Sequence, residues 1–495
     1  MPKTPPLPAL PLPPCPKGTG LSDWLHRELR SAILERRLLP EARLPSSRCL
    51  AEQLNISRGT VTAVYEQLAD EGYVGAVVGD GTRVLSSWQM PVNARAAVAS
   101  RSRVSQKTSA RLSHLAAAWQ DTPFPLENAK PRAFQANAPS VVDFPLTAWS
   151  RLFTRRLHRA TSMLLSEGDP LGYAPLREAI AAHLRETRGL QCSGAQVMIV
   201  SGTQMALSLC ARLLLNEGDA AWVEDPGYPG AAKLLAAMGA RIVPLPVDAQ
   251  GMRVDEGLRK AKDARLAIIS AAHQFPLGVT LSLPRRAALL DWAQRQEAWI
   301  FEDDYDSEFR FAGRPLMALQ GMPGGDRVLF CGSFNKVLYP GLRLGFLVLP
   351  EPLVEPFRRM RSLVDRYPAG VEQAVLTDFI TEGHFERHLR RMRIKYMERH
   401  EVMIAESRRV WGERLVVTPT DTGLQTIGWL RGGHSANKFA SLANAKGYEM
   451  LPVSFFALQA RQSLGHPLSS GLQLGFGPHS PEQIRSAVRA IERLL

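Results

Sequence analysis

DRVLFCGSFNKVLYPGLRLGFLVL, residues Asp326–Leu349, sets a single lysine, Lys336, between two apolar runs. Val328–Cys331 and Leu344–Leu349 read as short buried strands. The segment between them is polar and punctuated by Gly and Pro, as a loop is. A buried ammonium is costly, and a lysine whose pKa falls becomes a nucleophile towards aldehydes. Ser333 lies three residues before Lys336 and Arg343 seven after it. A hydroxyl and a guanidinium flanking a reactive amine suit an aldehyde cofactor that carries a phosphate. A lone loop lysine is far more often a solvated surface residue, so the remaining pieces must come from elsewhere in the chain.

At 495 residues the chain is long enough for two to four units. Its composition, 45% apolar and 22% charged, is that of a globular protein. No apolar run reaches membrane-spanning length, and the Pro-rich start lacks the pattern of a secretory signal. Five cysteines (Cys15, Cys49, Cys192, Cys210, Cys331) are scattered without metal-ligand spacing. The expectation is therefore a cytoplasmic protein with free thiols, no metal and no membrane partner. The net charge is +13, and residues 86–142 hold seven Lys and Arg against two acids. A basic excess is a weak pointer to nucleic acid; the local one is more telling.

Residues 1–20, with eight prolines by position 16, read as a disordered arm. Residues 21–85 read as a small helical unit with a β tail. Leu21, Trp24, Leu25, Leu29, Ala32 and Ile33 form one face of a first helix. Ser46 or Ser47 caps a short second helix carrying Leu50, Ala51 and Leu54; Asn55-Ile56 turns the chain; Ser57 caps a third whose apolar face is Val61, Val64, Tyr65 and Leu68. Two short helices joined by a tight turn describe a helix-turn-helix, whose second helix can enter a major groove. YVGAVVGDGTRVL, turning at Gly79-Asp80-Gly81, reads as a hairpin wing. A ligand-free packing module fits the periodicity as well, and the near-neutral charge of this segment favours that plainer reading. Residues 86–132, rich in Ala, Ser and Arg, read as a mobile basic linker.

From 133 to 495 apolar strand-like runs alternate with helical stretches, which implies a mostly parallel, helix-covered sheet with a smaller α+β lobe from about Gly370. A phosphorylated pyridine aldehyde needs an amine, a carboxylate for its ring nitrogen, a donor to its ring oxygen, an aromatic face and phosphate donors. Strand Trp299–Phe301 runs into Glu302-Asp303-Asp304-Tyr305-Asp306, offering Asp303 or Asp304 and Tyr305 at a strand's C-terminal edge. Val197–Val200 leads to Ser201-Gly202-Thr203-Gln204 at a helix start, a ready anion site. Tyr228 and the run His273–Gly278 follow two further strands. Taken singly these are an acidic loop, a helix cap and packing; together they form one constellation.

The string RLPSSRCLAEQLNISRGTV…YEQLADEGY…GDGTRV resembles the winged helix-turn-helix of GntR-class bacterial repressors. That resemblance implies operator-DNA contacts from Arg43, Ser46, Arg48, Ser57, Arg58, Thr60, Gly81 and Thr82. GTQMAL, EDPGYPG, HQFPLG, FEDDYDSEFR, GSFNKVLYPGLRLGF and FERHLRRMRIKYMERH resemble the fold-type-I aminotransferases that depend on pyridoxal 5′-phosphate. The whole resembles the MocR subgroup of GntR regulators, in which an aminotransferase-like domain is the effector sensor. The resemblance implies a homodimer, an internal aldimine at Lys336, Asp303 on the pyridine nitrogen, Tyr305 on the ring oxygen and Tyr228 stacked on the ring. Gly202, Thr203, Gln204, Ser333 and Arg343 would hold the phosphate. Three positions depart from the family pattern: Gln473 stands where an arginine usually grips a carboxylate, Glu167 where a tyrosine is common, and Asn335 where serine is usual. The implied function is regulation by pyridoxal phosphate or a small amine effector, without steady catalysis but with half-transamination chemically allowed. An active aminotransferase with a DNA-binding appendage, and a regulator whose large domain is a dimerisation scaffold, are the alternatives.

Overall fold

The computed structural model describes residues 12–16, 18–77, 81–85, 119, 122–124, 132–159, 162–311, 313 and 316–495. They fall into two units, Met1–Arg111 and Leu112–Leu495. Most of the Pro-rich arm, the wing turn at Gly79-Asp80 and nearly all of the expected basic linker lie outside the described residues.

In the first unit, α1 (Leu21–Leu34), α2 (Ser47–Leu54) and α3 (Arg58–Asp70) precede a hairpin of β1 (Val74–Val77) and β2 (Gly81–Val84). Residues at helical spacing, among them Trp24, Leu25, Leu29, Leu50, Val61, Val64 and Leu68, meet in one core. Leu21 does not join them; at the first position of α1 it is 47% exposed. Ser46 caps α2, accepting from the Cys49 N–H at 3.2 Å. Asn55 then adopts a left-handed conformation, φ 53°, which ends α2 and turns the chain. Ser57 caps α3 by accepting from the Thr60 N–H at 3.1 Å. The hairpin is antiparallel, with Val74 opposite Val84.

The second unit is built on an eight-stranded sheet. Its strands are β3 (Val197–Val200), β4 (Ala220–Asp225), β5 (Arg241–Asp248), β6 (Gly251–Met252), β7 (Leu266–Ile269), β8 (Trp299–Asp304), β9 (Val328–Ser333) and β10 (Gly345–Val348). The spatial order is β3-β10-β9-β8-β7-β4-β5-β6. Strands β5, β4, β7, β8 and β9 are parallel neighbours, whereas β10 runs against both β3 and β9. The two apolar runs around Lys336 are thus direct partners, Ser333 opposite Gly345, and the lysine sits in the connection between them. Because β3 and β9 both oppose β10, the C-terminal ends of β3, β4, β7, β8 and β9 share one edge. The acids expected just beyond β8 include Glu302, Asp303 and Asp304 of the strand itself.

The smaller lobe carries β11 (Leu415–Val417), β12 (Gln425–Leu430), β13 (Leu451–Pro452), a ribbon of β14 (Gln462–Ser463) and β15 (His466–Pro467), and β16 (Gly471–Gly475). Its antiparallel sheet has the order β11-β12-β16-β13. Two helices open the lobe: Gly383, at φ 74°, divides Gly370–Thr381 from the charged, 28-residue His384–Trp411. Trp411 Nε1 donates to the Val488 carbonyl at 2.9 Å and fixes the long helix to the final one, Pro481–Glu492.

Candidate functional site

A cavity of about 280 Å³ opens at the shared strand edge. Thr203, Tyr228, Phe275, Asp303, Tyr305 and Lys336 line it, with Asn137 and, from β16, Gln473. Five of the nine residues expected around a cofactor are therefore brought together. Lys336 Nζ donates to the Asn137 carbonyl oxygen at 2.7 Å. Burial pushes the lysine pKa down to about 8, although Asp306 and Asp303 pull the other way. This is the setting in which an amine is partly neutral, and so nucleophilic, near physiological pH.

Asp303 is half-buried, and desolvation pushes its pKa up to about 7; the Thr203 hydroxyl, donating to Oδ1 at 3.2 Å, opposes that rise. Sequence reading left Asp303 and Asp304 as alternatives for this place. Strand alternation sends them to opposite faces: Asp303 lines the cavity, while Asp304 accepts from Arg188 Nε at 3.0 Å. Next along, Tyr305 Oη lies 3.1 Å from His273 Nδ1, which is also 2.8 Å from Asp306 Oδ1. An Nδ1–H shared between carboxylate and phenol leaves the tyrosine's own proton for an acceptor in the cavity. The His273–Asp306 pair was not anticipated. Its residues lie 33 positions apart, and only the sheet order joins them. Tyr228 meets Phe124 and Phe275 with ring centroids 6.1 Å away in each case, so one end of the cavity is an aromatic wall.

Gly202, Gln204, Ser333 and Arg343 do not line this cavity. Gly202 sits at φ 136°, and a Cβ there would lie 3.2 Å from Asn335 Nδ2. Asn335 accepts from the Leu344 N–H at 3.2 Å, donates its own N–H to Ser333 Oγ at 3.2 Å and reaches the Ser201 carbonyl at 3.5 Å. It binds the end of β3 to the Lys336 connection, a job the sequence did not reveal. Ser333 borders a narrower neighbouring cavity. Arg343 is exposed, at φ 52°, on a groove shared with Ser201 and Met205. Gln204 Nε2 donates to the Gly230 carbonyl at 3.4 Å, and its buried Oε1 has no partner.

These residues fit a phosphorylated pyridine aldehyde. The donor set offers a partly neutral amine, a half-buried acid, a phenol with a spare proton and an aromatic wall. A helix start at Thr203 adds unpaired N–H groups suited to an anion. Of the three departures, Glu167 has a side chain that is 74% exposed and pairs with Arg366 at 3.0 Å. Gln473 is 1% exposed and its Nε2 has no partner.

The expected DNA-binding residues gather on the α2–α3 face and hairpin of the first unit. Ser57 Oγ and Thr60 Oγ1 lie 2.8 Å apart, and Arg58 Nε donates to Ser47 Oγ at 3.3 Å. Ser57, Arg58, Arg48, Arg43, Ser46 and Gly81 are exposed; Thr60 and Thr82 are half-buried. Arg48 forms an exposed pair with Glu52 at 3.2 Å. Ser46 and Ser57 spend acceptor capacity on helix caps, yet their hydroxyls can still donate. Among the described residues no helix is long and apolar enough to cross a membrane, and no group of His, Cys, Asp and Glu could hold a metal ion.

Comparison with known proteins agrees with both units. Residues 21–84 match the model for bacterial regulatory proteins of the gntR family, and residues 134–491 match that for aminotransferase class I and II. The chain is 37% identical over 94% of its length to the probable rhizopine catabolism regulatory protein MocR of Rhizobium meliloti, covering 92% of that protein. It is 34% identical over 86% of its length to the HTH-type transcriptional regulator TauR of Rhodobacter capsulatus, covering 84% of it. Among solved structures, LysN, an α-aminoadipate aminotransferase from Thermus thermophilus complexed with N-(5′-phosphopyridoxyl)-L-leucine, is 26% identical. That match covers 73% of this chain and 91% of that one, with a TM-score of 0.66. The chain belongs to the aminotransferase class I and II family and, with its gntR-type N-terminal unit, to the MocR subgroup of GntR regulators.

Proposed function

We propose that this protein is a cytoplasmic transcriptional regulator that binds operator DNA through residues 21–85 and pyridoxal 5′-phosphate in residues 133–495. Residues 86–132 serve as the tether between them. The observation that carries the reading is Lys336: a half-buried amine, lowered to about 8, in one cavity with Asp303, Tyr305 and Tyr228. The cofactor supplies an aldehyde carbon and an electron-poor ring. Lys336 would offer its amine to the aldehyde, Asp303 would serve the ring nitrogen, Tyr305 the ring oxygen and Tyr228 the ring face. Thr203 in the cavity, with Gly202, Gln204, Ser333 and Arg343 beyond its lining, would hold the phosphate. The phosphopyridoxyl ligand of the Thermus relative supports the same cofactor class here.

Arg43, Ser46, Arg48, Ser57, Arg58, Thr60, Gly81 and Thr82 contact DNA in this reading. The protein acts as a homodimer, and cofactor or a small amine changes operator affinity because it binds two arrangements of the dimer unequally. A gel-shift assay with and without pyridoxal phosphate tests this, alongside visible absorbance of wild type and Lys336→Ala. A visible band lost in the variant and a cofactor-dependent shift are expected; a protein that stays colourless with added cofactor sinks the reading. Amino-group transfer is the second reading, favoured by the presence of Lys336, Asp303 and Tyr305 together. Steady turnover with an ordinary amino-acid donor would select it.

A further inference from the structure

We infer that the Lys336 cavity takes a primary amine whose far end carries uncharged hydroxyl groups, and that Gln473 is the residue that reads that end. This rests on the proposal that pyridoxal phosphate is held at Lys336.

Gln473 lies on β16 opposite Ile427 of β12, and it lines the cavity while being 1% exposed. Its Nε2 has no partner. Directly opposed residues of an antiparallel pair share a sheet face. Gln425, opposite Gly475, is therefore on the same face as Gln473, and both of its buried amide atoms also lack partners. Two neutral amides thus stand on one face of the small-lobe sheet with hydrogen-bonding capacity unused. A buried donor or acceptor left unmet is costly, so a ligand that meets it gains selectivity over one that does not.

The charges around the cavity argue for the sign of that ligand. Its described ionisable lining residues include one base, Lys336, and two carboxyl groups, Asp303 and Glu449. A carboxylate brought to Gln473 would meet an amide in place of a bidentate guanidinium, so its charge would be buried without a counter-charge from that residue. A second ammonium fares little better, because Glu449 already pairs with Arg132 at 3.4 Å. A hydroxyl can both donate and accept, so it suits Gln473 whichever way round the amide lies. Phe124, Phe275 and Phe456 complete an apolar wall that accommodates the carbon skeleton. The exchange itself needs no oxidant. The ligand nitrogen takes over the bond to the cofactor carbon that Lys336 Nζ held, and its two hydrogens pass to Lys336.

The test uses the full-length protein loaded with pyridoxal phosphate and titrated with matched pairs, phenylalaninol against phenylalanine and serinol against serine, and with putrescine. Displacement of the visible band is read. The amino alcohols are expected to move it at concentrations lower by about tenfold or more than the acids, and Gln473→Arg is expected to reverse that order. Acids that act as well as alcohols, a preference for putrescine, or a band that no amine moves would each overturn the inference. The wild-type comparison decides even if the variant does not fold. If no band forms on loading, the cofactor reading fails and this inference with it, whereas an unmoved band overturns this inference alone.

Discussion

Thr203 Oγ1 donates to Asp303 Oδ1 at 3.2 Å, joining the helix start after β3 to the end of β8 across two intervening strands. The bond favours the carboxylate, while burial and the neighbouring Asp304 and Asp306 favour the acid, and the balance puts Asp303 at about 7. Asp303→Asn removes the charge that would meet a pyridinium. We expect pyridoxal phosphate affinity to fall by about tenfold or more, measured by equilibrium dialysis. Thr203→Ala leaves the charge but removes one donor, with a smaller loss of affinity and about 1 kcal/mol of stability.

The lysine gives a pH prediction. Burial lowers Lys336 to about 8, so its neutral fraction rises through that pH rather than near 10.5. The rate at which cofactor-free protein captures pyridoxal phosphate should climb from acid pH and flatten above about 8. A climb that continues towards pH 10 would mean that the amine is solvated. A group lowered on folding binds fewer protons in the native state, so Lys336 also adds stability as pH rises from about 8 to 10.5.

Glu308 offers a stability test at an ion cluster beside Tyr305 and Ser333. Burial would raise its pKa, but Arg188, His183 and Arg393 outweigh it and hold the carboxyl down to about 2. Arg188 Nη2 lies 3.3 Å away and its Nε holds Asp304 at 3.0 Å. Arg188→Met leaves two acids without their buried partner and should cost roughly 3–5 kcal/mol in urea unfolding. For the wild type, this contribution is full above pH 4.5 and disappears as pH falls towards about 2.

On the DNA side, capping and contact can be separated. Ser57→Ala removes the α3 cap and should lower the stability of the first unit by about 1 kcal/mol. Arg58→Ala should leave melting nearly unchanged, weaken operator binding, and reduce the slope of log affinity against log salt by about 1. An Arg58 variant with an unaltered salt slope would place that side chain off the phosphates.

Much of this protein was legible along the chain because its signals are local. Helical spacing of Val61, Val64, Tyr65 and Leu68, caps at Ser46 and Ser57, and apolar runs flanking Lys336 need no tertiary information. The motif strings extended that reading to candidate cofactor residues, of which Thr203, Tyr228, Asp303, Tyr305 and Lys336 line one cavity. Local pattern failed wherever the partner was distant. The choice of Asp303 over Asp304 depended on the phase of β8, and the His273–Asp306 pair on the neighbouring strands β7 and β8. The role of Asn335 required the end of β3 to approach the Lys336 connection. The partner of Glu167 is Arg366, 199 residues away.

The sequence by itself determined which chemistry is present: an amine, an acid, a phenol, and a glutamine in place of a guanidinium. Only the tertiary structure decided what those groups meet. Burial sets the ionisation of Lys336 and Asp303, and β16 lays Gln473, its amide nitrogen unpartnered, against the same cavity. Desolvation and long-range pairing are properties of packed surfaces, and a string of residues does not contain them until it has folded.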